Sequence, residues 1–154
     1  MWRQWAIAHC PQTAAWFQHK SWLGVTAENQ RRADERIPVL LQTPAAVRWV
    51  SLEPLLGPID LNKRELLIDK RRFKYTLGNY LDWVVVGCES GPKRRPCKIE
   101  WVREIVEQCR DAGVPVFVKQ LSINGKVSHD MDEWPEDLRV REYPVADSGG
   151  GVLI

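Results

Sequence analysis

Val25-Thr26-Ala27-Glu28, Val50-Ser51-Leu52-Glu53 and Val86-Gly87-Cys88-Glu89 repeat one short pattern: a valine, a small residue, an apolar residue, then a glutamate. A fourth apolar run, Val116-Phe117-Val118-Lys119-Gln120, ends on a lysine instead. Side chains alternate across a strand, so each glutamate shares a face with the small residue two places earlier. The repetition predicts parallel strands whose C-terminal ends gather ionic groups around one mouth. The glutamates stand 25 and 36 residues apart, spacings that suit successive strand–crossover units of right-handed sense.

Working outward, Ser21–Ala27 reads as the first strand. A helix follows from about Glu28 to Leu41, with Ala33, Ile37, Leu40 and Leu41 three or four apart. Pro38 is expected to bend or divide it, and Thr43-Pro44 to end it. Val47–Leu52 is the second strand, closed by Glu53-Pro54, and Leu81–Val86 the third, apolar throughout as in a parallel strand covered on both faces. Between them, residues 61–76 are rich in lysine and arginine and read as a short strand or helix inserted on the rim. A helix over Ile99–Ala112 carries Val102, Ile105, Val106, Cys109 and Ala112 on one face and stops at Gly113. Val114–Lys119 is the fourth strand, and Ser122-Ile123-Asn124-Gly125 a turn.

The expected fold is therefore α/β: a parallel (βα) partial barrel of about four strands, or a small open sheet. Residues 1–20 form a lead-in, 21–144 the domain and 145–154 a flexible tail. Four strands cannot close a barrel, and unpaired edges invite association. A homo-oligomer, or a partner chain carrying the missing half, is expected.

The composition is that of an ordinary globular chain: 154 residues, 44% hydrophobic, 27% charged, net charge +2. That charge is too small to argue for nucleic acid by itself. No apolar stretch approaches the roughly 20 residues of a membrane span, and Met1–Ala8 lacks the apolar core of a secretion signal. The expected location is cytoplasmic, with no membrane partner. Cys10, Cys88, Cys97 and Cys109 are too far apart for a tight metal-binding cluster; Cys109 reads as a packed thiol and Cys88 as a strand-end thiol beside the mouth. Trp22, Trp49 and Trp83, among eight tryptophans, read as layer-packing residues.

Several stretches together resemble a known family. They are Trp22–Gln30 with Ala33-Asp34-Glu35-Arg36-Ile37-Pro38, then Ser51–Asp60, Leu81–Gly91, Gly113–Gln120 and Asp137–Pro144. Over about residues 21–144 the chain is similar to the phage protein family named after gene products 37 and 68, a radical S-adenosylmethionine-like group of undetermined substrate. The resemblance implies the C-terminal half of a TIM-like barrel. In that family the N-terminal half holds a three-cysteine cluster site, and neither Cys10 nor its surroundings reproduce it. Three thiolates are needed to hold a cluster with one open iron, so no cofactor is expected in this chain, with S-adenosylmethionine possible at a completed barrel. Cys88 also stands where the family usually has a second glycine.

The rim chemistry follows. Glu89 and Glu53 are the candidate acid/base pair, with Lys119 as their electrostatic partner. The resemblance implies that this rim faces adenosylmethionine, making Glu28, Ser51, Gly87, Ser90, Gly91 and Gln120 candidate ligand-binding residues. No metal ligands are proposed. The plainer alternatives are that Glu28 answers a helix dipole, Glu53 shapes a loop, and Lys119 neutralises an acid. The basic residues 63–74 and 93–98 read as a solvated rim or as a nucleic-acid contact. The expected function is a phage-type binding or interaction module. The alternative is an S-adenosylmethionine-dependent or metal-assisted enzyme, complete only with a partner chain.

Overall fold

The computed structural model describes residues 20–62, 64–68, 71–75 and 77–145, with the side chains of 64–68, 71–75 and 79 outside the description. The expected lead-in up to residue 19 and the tail beyond 145 lie outside the described residues, as do the side chains of the basic stretch 63–74. In chain order the elements are β1 (Trp22–Thr26), α1 (Gln30–Leu41), β2 (Val47–Leu52), β3 (Arg64–Ile68), β4 (Arg71–Tyr75), β5 (Trp83–Gly87), α2 (Ile99–Ala112), β6 (Val116–Ile123) and β7 (Lys126–Ser128). No helix among the described residues is long and apolar enough to cross a membrane.

Five strands form one sheet in the order β1-β2-β5-β6-β7. The first four run parallel, with Val25 beside Val50, Val50 beside Val84, and Val84 beside Val116. The fifth is antiparallel and was not expected from the sequence. β6 continues past Lys119 to Ile123 and turns back through Asn124 (φ 50°) and Gly125 (φ 75°) into β7. Two consecutive positive φ values make the hairpin turn that matches strand twist, and Asn-Gly is its strongest sequence signal. The basic insertion is a two-stranded antiparallel hairpin, β3–β4.

α1 begins at Asn29, whose side chain accepts the Arg32 N–H at 3.1 Å. Pro38 lies inside one continuous helix, so the expected division does not occur. The ring removes one backbone bond near the helix end, while buried Ile37 and Leu40 pin the last turn to the sheet. α2 stops at Gly113, which takes the left-handed conformation (φ 67°) and donates to the Cys109 and Arg110 carbonyls.

Register places Val50 and Leu52, Val84 and Val86, and Val116 and Val118 on one face. That face meets Ala33, Ile37 and Leu40 of α1 and Val102, Ile105, Val106 and Cys109 of α2 in a single core. The other face carries Trp22, Trp49, Trp83 and Phe117. Trp83 lies 5.5 Å from Trp49 and 5.5 Å from Tyr143, ring centre to ring centre. The tryptophans are thus layer-packing residues, on the side opposite α1 and α2. A Cβ on Gly24 would run into the Trp49 indole, so glycine lets that ring lie flat across β1.

Candidate functional site at the strand ends

β1, β2 and β5 are parallel, and Glu28, Glu53 and Glu89 follow their C-terminal ends. The three acids therefore emerge at one edge of the sheet. Alternation from Thr26, Ser51 and Gly87 assigns each to the aromatic side. The loop after β2 ties the ends together: Leu55 N–H donates to Gly87 O at 3.0 Å and Leu56 N–H to Glu28 O at 2.9 Å. Buried Leu55 anchors that loop, which leaves Glu53 through a cis peptide bond to Pro54.

Each acid has its own cation. Glu28 is paired with Arg36 at 3.1 Å and Arg32 at 3.5 Å. Lys119 Nζ lies 3.0 Å from both oxygens of Glu53. Glu89 accepts three hydrogen bonds from Arg95: backbone N–H at 2.6 Å, Nε at 2.9 Å and Nη2 at 2.6 Å. The Arg95 side chain, then its backbone N–H, pull the Glu89 carboxyl down to about 2. Bidentate pairing of this kind combines charge with fixed geometry.

Lys119 thus reaches Glu53, whereas Glu89 is served by Arg95. Neither Arg95, Arg36 nor Arg32 was singled out from sequence as an acid's partner. Arg95 sat within a basic run read as a solvated rim or phosphate contact, and nothing in one-dimensional spacing joins Arg36 to an acid eight residues earlier. Of the remaining basic loop, Arg94 donates to the carbonyls of Gly91 and Gly125, and Lys98 lies over the Trp101 ring at 5.6 Å.

Gln120 is 1% exposed. Its Nε2 donates to Glu53 Oε1 at 2.7 Å and to the Cys88 carbonyl at 2.7 Å, joining the ends of β2, β5 and β6. Both acceptors require the amide nitrogen there, and the buried Oε1 has no donor among the described residues. Gly87 lies against this amide, and a Cβ there would meet Gln120 Cδ at an ordinary contact distance of 3.4 Å. Ser51 lies half-buried on β2, while Ser90 and Gly91 occupy the exposed loop after Glu89.

Cys88 follows Gly87 and is buried, close enough to Glu53 for that carboxylate to act on its thiol. Burial, the largest influence, raises the Cys88 thiol, and pushes Cys97 and Cys109 up to about 12. All three are free thiols, held in the protonated, unreactive form. Among the described residues, no three His, Cys, Asp or Glu side chains are grouped to hold a metal ion.

A family model described as "Protein of unknown function (DUF5131)" matches residues 3–141. No curated protein and no solved structure matches the chain.

Proposed function

We propose that this chain, which belongs to the DUF5131 family of proteins of unknown function, acts as a binding and interaction module. In this reading it is the C-terminal half of a radical-S-adenosylmethionine-like barrel from a phage-type protein, without its own cluster cysteines. The observation that carries it is the commitment of every rim acid: Glu28, Glu53 and Glu89 are each held by arginine or lysine. A carboxylate ionised down to about pH 2 presents a fixed charge to a ligand. A neutral-pH acid/base catalyst needs a pKa near its working pH. Parallel strands in sequential order, with α1 and α2 on one side, support the half-barrel reading.

The second reading keeps a specific observation in its favour. Gln120 offers a buried, unpaired acceptor beside Glu53 and Lys119, an arrangement able to take an ammonium or hydroxyl of adenosylmethionine. There the chain would be an enzyme half, complete only with a partner.

Two measurements separate the readings. After anaerobic reconstitution the purified chain is expected to hold no stoichiometric iron, and stoichiometric iron overturns the first reading. In calorimetric titration with S-adenosylmethionine, saturable binding that disappears in Glu53→Ala favours the enzyme half. An absence of heat removes it.

A further inference from the structure

The sheet has two apolar faces, and α1 and α2 pack on one of them. Trp22, Trp49, Trp83 and Phe117 stand on the other, and none of the four belongs to the core beneath those helices. Trp83 is the hub of this second face. Its ring centre lies 6.1 Å from Trp22, 5.5 Å from Trp49, 6.2 Å from Phe117 and 5.5 Å from Tyr143. The rings thus run unbroken across β1, β2, β5 and β6. At the centre the polar demand is already met, because Trp83 Nε1 donates to Glu142 O at 2.9 Å. A cover here can be apolar without leaving that indole N–H unpaired. An apolar sheet face of this extent calls for a second layer.

Residues 1–19, which lie outside the described residues, have the composition, the position and the reach of that layer. They include Trp2, Trp5, Ile7, Trp16 and Phe17 but only one lysine, arginine, aspartate or glutamate, Arg3, in a chain that is 27% charged. A stretch so poor in charge gains by leaving water. Lys20 and Ser21 lead from it directly into Trp22, itself a member of the aromatic face. An extended chain covers about 3.3 Å per residue. That reach far exceeds the two ring spacings, 6.1 and 5.5 Å, that carry the face from Trp22 through Trp83 to Tyr143. The family match begins at residue 3, well before β1, so the matched unit includes the segment. Tethering then decides between this occupant and a second copy. A short linker holds a segment at an effective concentration on the order of millimolar, which a free copy does not reach in dilute solution. We propose that segment 1–19 is the second layer of the sheet, docked through its tryptophans and Phe17 on Trp22, Trp83, Phe117 and Tyr143. The inference goes beyond the half-barrel reading and constrains it: a partner chain approaching this face must first displace the segment.

The test is nuclear magnetic resonance of the full chain with labelled aromatic side chains. Nuclear Overhauser contacts are expected between ring protons of Trp5, Trp16 or Phe17 and those of Trp22, Trp83, Phe117 or Tyr143. None is expected between the segment and Glu104 or Gln108 on α2. A sample mixing labelled and unlabelled chains, read with isotope filtering, reports contacts between copies and is expected to show none. Trp16→Ser together with Phe17→Ser is expected to strengthen the photochemically induced polarisation of the Trp22 ring, which reads its exposure. Unmoved amide shifts at Val86 and Ile105 would show that the sheet and α2 still pack in that variant. No segment-to-face contact in the native chain, contacts to α2 instead, or contacts seen only between copies overturns the proposal. So does a Trp22 ring whose exposure is unchanged in the folded variant. The iron assay and the adenosylmethionine titration do not read this face, so failure here is distinct from failure at the rim.

Discussion

Glu89 and Gln120 show how single side chains set the rim. A carboxyl brought down to about 2 from 4.5 by Arg95 stabilises the folded chain above the ordinary carboxylate range, and that stabilisation is lost as pH falls toward 2. Chemical denaturation between pH 6 and about 2 is therefore expected to separate the native chain from Glu89→Gln at the upper end, with the gap closing in acid. A constant gap across that range would mean the pairing is not electrostatic. Gln120→Leu strips a donor from Glu53 and from the buried end of β5. It is expected to cost about 1–3 kcal/mol in urea denaturation, the penalty of leaving a buried acceptor unmade.

At the scale of elements, alternation explains why four strand ends deliver ionic residues to one place. The valine runs of β2, β5 and β6 point their partners at the helices, so the residues between them face the aromatic side. Gly24→Ala is expected to displace the Trp49 ring from β1, shifting tryptophan fluorescence and costing about 1–3 kcal/mol, as overpacking does. Gly125→Ala places a Cβ at φ 75° and is expected to weaken the β6–β7 hairpin by about 1–2 kcal/mol, visible as faster amide exchange at Val127. Unchanged exchange there would remove the hairpin's dependence on that turn.

At the scale of the molecule, one core among the described residues serves α1, α2 and four parallel strands. Ile105→Ala, fully buried at its centre, is expected to cost about 2–5 kcal/mol in global unfolding, without altering the Glu53–Lys119 pair. The sheet is asymmetric: one margin is covered by β7 and residues 140–142, and the other is the uncharged strand β1.

Much of this was legible in the residues alone. Apolar periodicity located β1, β2, β5, α1 and α2, because a strand or helix covered by others must repeat its apolar positions at period 2 or 3.6. The thrice-written glutamate ending placed three acids at one rim, because parallel strands align like ends. Tertiary structure alone decided their partners. Arg36, Lys119 and Arg95 lie 8, 66 and 6 residues from the acids they hold, and long side chains choose partners by closeness in space. It also decided that Cys88 is buried, that Gln120 bridges three strand ends, and that Thr26 O is occupied. Such contacts depend on how strands lie side by side, which no local pattern encodes.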